Sequence, residues 1–181
     1  SDEPLEAKTD DKRTPENNKI ERHKTAITRA ALSAPMYLLF TSGLIRHDST
    51  VLDYGCGQGD DIRALQSDGY AIEGWDPHFR PDTSYLKKSQ VINLGFVLNV
   101  IEDPEERAEA LKRAFSLTEV CLAVSVMLYG KADLSGARPY RDGYLTSRKT
   151  FQRYYTQTEL RDFIRSVLNV EPLAVSQGIF L

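Results

Sequence analysis

VLDYGCGQGDDIRAL, Val51 to Leu65, is the stretch on which the reading of this chain turns. VLDY has the composition of a buried strand, GCGQG of a turn, and DDIRAL of a helix that opens with acids where the helix dipole favours negative charge. A glycine-rich turn between a strand and its helix lets backbone N–H groups approach a ligand closely, and the helix N-terminus favours an anion, either phosphate or carboxylate. The spacing Gly55-x-Gly57-x-Gly59 is one residue tighter than the G-x-G-x-x-G of dinucleotide binders, and no G-K-[ST] follows, which removes the P-loop reading. Asp53, at the end of the strand, suits a ligand that carries a cationic amine. Asp76 closes the next strand, AIEGWD, where a carboxylate can accept hydrogen bonds from both hydroxyls of a ribose. The expected ligand therefore has a carboxylate, an amine and a ribose.

Outward from this stretch, strand alternates with helix, the pattern of a parallel sheet. The apolar run VINLGFVLNV, Val91 to Val100, reads as a strand. DPEERAEALKRAF follows as a helix with Asp103 as N-cap and Pro104 at its first position. CLAVSVML, Cys121 to Leu128, is another buried strand, TQTELRDFIRSVL another helix, and VEPLAVSQGIFL a final pair of short strands or a hairpin. Upstream, IERHKTAITRAAL has helical apolar spacing from Ile20, and Pro35 marks a break before a second short helix. Residues 1–19 carry six acids, four bases and two prolines with hardly any large apolar side chain, so they are expected to stay disordered. Residues 20–181 make one domain, and the apolar end at Leu181 is read as a hint that the natural chain continues.

With 181 residues there is room for one sizeable core but not for a second globular domain. A balance of 23 Lys+Arg against 26 Asp+Glu leaves a net charge of -3, so any nucleic-acid role must come from a local patch. No apolar run is long enough to span a bilayer. Cys56 and Cys121 are expected as free thiols in a reducing cytoplasm, Cys56 packed beside the turn and Cys121 in the core. His23, His47 and His78 share no ligand spacing, so no metal is expected.

The blocks VLDYGCGQG, EGWDP and VLNVIEDPEER together resemble the class I S-adenosylmethionine-dependent methyltransferases. More narrowly, IERHKTAITRAALS, VLDYGCGQGDD, GWDPHFRPD, VINLGFVLNVIEDPEERAEAL and DGYLTSRKTFQRYYTQTEL resemble the methyltransferase family associated with DNA phosphorothioation, across Ile20 to Leu181. The resemblance implies a Rossmann-like, doubly wound α/β sheet with an antiparallel last strand, S-adenosylmethionine as cofactor, and a part in DNA modification or defence. Carried over by position, Asp53, Gly55, Cys56, Gly57 and Gly59 surround the methionine end of the cofactor. Asp76 binds the ribose, Trp75 or Pro77 lies beside the adenine, and Asn93, Leu94 and Gly95 line the cleft. Asp60 and Asp61 cap the following helix or fix the loop. The chain departs from the family pattern in one place. Only the fourteen residues Pro77 to Gln90 stand where the usual fold has a helix, a strand and another helix. The third strand and its helices are therefore expected to be missing or reduced, with the adenine edge covered by HFRPDTSYL or left open.

ARPYRDGYLTSRKTFQRYYTQ, Ala137 to Gln157, interleaves Arg138, Arg141, Arg148, Lys149 and Arg153 with Tyr140, Tyr144, Phe151, Tyr154 and Tyr155, against the single acid Asp142. Bases alternating with aromatics grip single-stranded nucleic acid through phosphate contacts and stacking. Arg138, Arg141, Tyr144, Arg148, Lys149 and Arg153 are the candidate substrate-binding residues; the alternative is a solvated lid whose aromatics pack on the sheet. Arg22, His23, Lys24 and Arg29 form a second small basic group on the opening helix. Methyl transfer is an in-line displacement, in which the protein mainly positions the acceptor and shapes the field around departing charge. Enzymes acting on exocyclic base amines share a [DNS]-P-P-[YF] block; here the site reads NLGF, without the prolines. Carbon-5 cytosine chemistry needs a cysteine after a proline in that region, and none is present. Oxygen, sulfur and less usual nitrogen acceptors remain, on nucleic acid or on a phosphorylated small molecule, with Tyr140, Tyr144 and His23 as candidates for acid–base or orienting roles. The alternative is a module that keeps the fold and binds nucleic acid without catalysis.

Overall fold

The computed structural model describes residues 32–181. The expected tail, the opening helix, and the basic group Arg22, His23, Lys24 and Arg29 lie outside the described residues. The chain enters through a short helix, α1 (Ala34–Thr41), with Pro35 in its first turn, where a missing N–H leaves no bond unmade. Then follow β1 (Thr50–Tyr54), α2 (Asp60–Ser67), β2 (Ala71–Trp75), β3 (Ser89–Gly95), α3 (Pro104–Leu117) and β4 (Thr118–Ser125). Three very short strands, β5 (Arg138–Tyr140), β6 (Gly143–Leu145) and β7 (Phe151–Gln152), precede α4 (Gln157–Leu168) and a closing hairpin, β8 (Ala174–Ser176) and β9 (Ile179–Phe180).

The main sheet has the order β2-β1-β3-β4-β9-β8. β1 pairs in parallel with both β2 and β3, and β4 continues the parallel set. β9 joins β4 antiparallel, as the resemblance implies for the last strand. Nothing pairs with the outer edge of β2 among the described residues: residues 76–88 hold only a tight turn, in which Asp76 and Arg80 exchange backbone hydrogen bonds of 3.1 and 3.0 Å, and a single 3-10 turn at Thr83–Tyr85. The third strand and its helices are thus absent from this connection, as its shortness predicts.

Strand alternation divides the core. Leu52, Tyr54, Ile92, Leu94, Leu122 and Val124 point to one face, where Leu111 and Ala114 of α3 and Leu160 and Ile164 of α4 cover them. Val51, Ile72, Val91 and Ala123 point to the other, against Met36 and Leu39 of α1 and Ile62 and Leu65 of α2. The helices start where their caps dictate. Asp103 accepts from the Glu105 N–H at 2.9 Å, and Thr156 and Glu159 form a reciprocal capping box on α4.

Two sequence expectations need correction. The apolar run from Val91 does not continue as a strand to Val100: β3 stops at Gly95, because Phe96 takes a left-handed backbone (φ 58°) while its N–H bonds the Ser125 carbonyl at 2.9 Å. The strand expected at Cys121–Leu128 is shifted upstream, to Thr118–Ser125. The HFRPDTSYL loop folds back on the β2 edge, with the Trp75 indole N–H donating to the Pro81 carbonyl at 3.3 Å and Arg80 paired with Glu73 at 2.9 Å. It leaves the neighbouring cleft to be walled by other residues.

Gly74 shows how tightly β2 sits on α2. A Cβ there would run into the Ile62 Cδ1 and lie 2.9 Å from the Cys56 Cβ. Gly74→Ala is expected to lower stability by about 1–3 kcal/mol through overpacking, read from urea unfolding; a Gly43→Ser control, where nothing stands within 4 Å, tests strain from positive φ alone.

Candidate functional site

β1 lies where the connections diverge: the chain leaves it through α2 to β2 on one side and returns to β3 on the other. In open α/β sheets, ligands bind outside the carboxyl ends of the strands at such a point. Two cavities open there, one on each face of the sheet, and both are lined by Gly55 and Phe96.

The first, about 380 Å³, lies on the α1/α2 face and is acidic. Asp53, Asn93, Gly95, Gly57, Cys56, Asp61 and Ser33 are among its lining residues. Asp61 accepts from both the backbone N–H and the hydroxyl of Ser33, at 2.8 and 2.7 Å, and so ties the segment before α1 to the start of α2. Asp61 thus fixes the loop, whereas the N-cap of α2 is Gly59, in the left-handed conformation. Asp53 accepts a 3.1 Å hydrogen bond from the Asn93 amide, while Asn93 Oδ1 is buried without a partner among the described residues. Burial, then the charges of Asp61 and Asp76, push the Asp53 carboxyl up to about 7, against the opposing hydrogen bond from Asn93. A carboxylate held half-protonated near neutrality and a buried amide oxygen lacking a donor together favour a ligand bearing a cationic amine.

The second cavity, about 400 Å³, lies on the α3 face and is mainly apolar. Tyr54, Trp75, Pro77, Val97, Val100, Ile101 and Ala110 line it, with Glu106, Glu109 and Arg113 at its charged margin. Between the two stands Asp76. One of its oxygens accepts from the Gly57 N–H at 2.9 Å; the other accepts from the N–H groups of His78 and Phe79 at 2.8 and 3.0 Å. It therefore caps its own turn and also holds the glycine turn, and the oxygen facing Gly57 keeps an acceptor site. Gly55 has φ 83°, and a Cβ on it would collide with the Val97 side chain.

The structure brings together Asp53, Gly55, Cys56, Gly57, Asn93 and Gly95 on one cavity and Trp75, Asp76 and Pro77 on the other. Gly59 and Leu94 line neither: Gly59 caps α2, and the alternation of β3 points Leu94 into the core. Burial and the charges of Asp53 and Asp76 push the Cys56 thiol up to about 11, away from the thiolate form that a nucleophile needs. Both cysteines are free thiols. Of the candidate substrate residues, Arg138, Arg141, Arg148 and Lys149 are exposed, Arg141 and Lys149 on left-handed backbone in the turns of the small β5-β6-β7 sheet. Arg153 points inward, to Asp142 at 3.0 Å and Glu159 at 3.2 Å. Tyr140 lies against Phe151 and Tyr144 against Tyr154; neither tyrosine lines either cavity. Phe96, Val97, Val100, Ile101 and Ser33 are site residues that the sequence reading did not single out.

No family model and no curated protein matches the chain. Among solved structures, it is similar to the Burkholderia thailandensis 1,6-didemethyltoxoflavin-N1-methyltransferase, crystallised with 1,6-didemethyltoxoflavin and S-adenosylhomocysteine: TM-score 0.59, 17% identity, covering 86% of this chain and 75% of that one. It is also similar to an S-adenosylmethionine-bound amino pentose methyltransferase of Micromonospora echinaspora, at TM-score 0.56 and 13% identity over 91% of this chain and 97% of that one. A third is an S-adenosylmethionine-dependent methyltransferase of Methanosarcina mazei, at TM-score 0.54 and 16% identity over 78% and 93%. The chain has the Rossmann-like methyltransferase fold, reduced by its third strand.

Asp53 gives a test independent of any ligand. Its folded-state carboxyl titrates near 7 and its unfolded one near 3.8, so between those values the folded chain keeps a proton that the unfolded chain releases. Ionisation of Asp53 therefore costs stability as pH rises. Asp53→Asn is expected to gain stability relative to the parent between pH 4 and about 7 and to hold that gain above it, read from paired denaturant titrations at pH 4.5 and pH 8.

Proposed function

We propose that the protein is an S-adenosylmethionine-dependent methyltransferase whose acceptor carries phosphate, with nucleic acid as the favoured class. The observation that supports this most is the pair of cavities meeting at Gly55: acid and amide on one side, apolar walls on the other, and the Asp76 carboxylate between them. These residues fit the cofactor. Asp53 and the orphaned Asn93 Oδ1 would take its ammonium, Asp76 its ribose, and Trp75, Pro77, Val97, Val100 and Ile101 its base. The bound cofactor supplies an electrophilic methyl group on a sulfonium.

What the chain itself contributes is placement and field. Phe96 lines both cavities on strained backbone, an arrangement that persists only where its surroundings hold it, and here the bond to Ser125 does so. The acceptor class rests on Arg138, Arg141, Arg148 and Lys149, exposed, without a carboxylate partner among the described residues, and spread over two neighbouring hairpins. Spaced cations of this kind match successive phosphates better than one small anion. A part in DNA modification or defence, suggested by the sequence blocks, belongs to the same proposal. A second reading, a non-catalytic module that binds nucleic acid, is favoured by the placement of Tyr140 and Tyr144 away from both cavities. Transfer of labelled methyl to single-stranded DNA or RNA decides between the two: cofactor binding without incorporation supports the module.

Calorimetric titration with S-adenosylhomocysteine is expected to show binding that strengthens as pH rises through about 7, since Asp53 must ionise to pair with the ammonium. Asp76→Ala should weaken it by about tenfold or more, through removal of hydrogen bonds to a charged group. Arg148→Glu with Lys149→Glu should weaken binding of a single-stranded oligonucleotide and flatten the slope of log affinity against log salt by about 0.7 for each phosphate that the variant no longer neutralises. An unchanged salt slope would remove the hairpins from the acceptor site.

A further inference from the structure

The small β5-β6-β7 sheet is fastened to the segment Leu98–Glu102, the same segment whose Val100 and Ile101 wall the apolar cavity. Tyr155, just beyond β7, donates its hydroxyl to the Leu98 carbonyl at 2.9 Å. The Arg153 N–H bonds the Asn99 carbonyl at 2.7 Å, and the Asn99 amide donates to the Gln152 side chain at 3.1 Å. Arg107, on the first turns of α3, makes the largest set of bonds. Its guanidinium donates to both oxygens of Asp142, in the β5–β6 turn, at 2.6 and 2.7 Å; Nε donates to the Ile101 carbonyl at 2.7 Å, and one terminal nitrogen reaches the Glu102 carbonyl at 3.4 Å.

Arg107 is only 1% exposed, while its partner sits on an open hairpin turn. A buried ion pair is a poor way to gain stability, since well-packed apolar residues usually serve as well. What a planar, bidentate guanidinium adds is register, because carboxylate and carbonyls must occupy fixed positions around one rigid fork. Asp142 is further shared with Arg153, which reaches Glu159 in the capping box of α4. Arg107 and Arg153 together hold the Asp142 carboxyl below the usual carboxylate range, so the clamp stays charged at neutral pH.

We propose that Arg107 is a positioning residue that couples the cleft to the hairpin sheet, so that an adenosyl ligand against Val100 and Ile101 also steadies the surface bearing Arg138, Arg141, Arg148 and Lys149. This rests on the cofactor reading above. A ligand packed against Val100 and Ile101 restricts the backbone whose carbonyls Arg107 already holds, and the same fork holds Asp142. Ordering at one end therefore lowers the cost of ordering at the other, and the effect is reciprocal.

Hydrogen exchange read by mass spectrometry on the full chain, with and without saturating S-adenosylhomocysteine, tests this. In the parent protein the ligand should slow exchange across residues 143–152 by about fivefold or more. In Arg107→Lys, which cannot keep the bidentate pair together with the carbonyl bonds, the ligand should still bind by calorimetry but leave hairpin exchange unchanged. Should that variant fold poorly, Asp142→Asn, on the exposed turn, gives the same readout. A purely structural role would raise hairpin exchange equally with and without ligand and preserve the ratio between them; that result in either variant overturns the coupling, as does a parent protein that binds the ligand with no change at the hairpins. A parent protein that fails to bind S-adenosylhomocysteine overturns the cofactor reading itself and the coupling with it.

Discussion

Three backbone N–H groups converge on the Asp76 carboxylate, and the site depends on that convergence. The bond from Gly57 fixes the glycine turn relative to the end of β2; the bonds from His78 and Phe79 fold the chain back sharply after it. The turn at Gly55–Gly59 is further held from β2, because the Trp75 carbonyl accepts from the N–H groups of Gly55 and Cys56 at 2.7 and 3.0 Å. A loop of three glycines would otherwise lose more entropy on ordering than most sequences. Tying it to the neighbouring strand is what gives the turn one fixed shape at the floor of the cleft.

The lost third strand changes which residues build the cleft. With residues 77–88 folded against the β2 edge, the apolar cavity is closed by the loop after β3 and by the exposed side of α3. That loop can serve as a wall only because Phe96 turns the chain abruptly at the end of β3, bringing Val97 over Gly55 and Val100 and Ile101 beside Trp75. The reduction of the fold and the strained residue thus belong to one arrangement. The same loop then carries the carbonyls that Arg107 grips, which is why the cleft and the hairpin sheet share a boundary.

Much of this was legible in the sequence where one residue type has one physical meaning. Asp103 followed by Pro104 marked a helix start, Gly-x-Gly-x-Gly a turn, and the short span between EGWD and VINL the missing strand. The apolar run from Val91 misled because hydrophobicity alone cannot separate a buried strand from an apolar loop packed on a helix. Its length held a signal, since ten apolar-rich residues exceed what most strands use, and the surplus from Phe96 onward is the wall of the cleft. Arg107 was not legible. It sits among Glu105, Glu106, Glu109 and Lys112, whose spacing describes a wet helix face, and only its tertiary partner Asp142 draws it inward. Likewise β5, β6 and β7 are two or three residues long, too short for any periodicity to register.

Charge is distributed in a way that bears on what the site admits. Asp53, Asp60 and Asp61 surround the cavity on the α1/α2 face, while Arg138, Arg141, Arg148 and Lys149 occupy the hairpins. A net charge of -3 conceals this separation. A phosphate-bearing chain would be repelled from the acids at the strand ends and attracted to the hairpins, so its backbone and its reacting atom would be held by different parts of the protein. Of the two charged regions, the acidic one suits a cation such as a sulfonium compound with a free ammonium. The two regions thus separate by charge what each can attract, and Phe96, which lines both cavities, stands on the border between the acidic one and the apolar one.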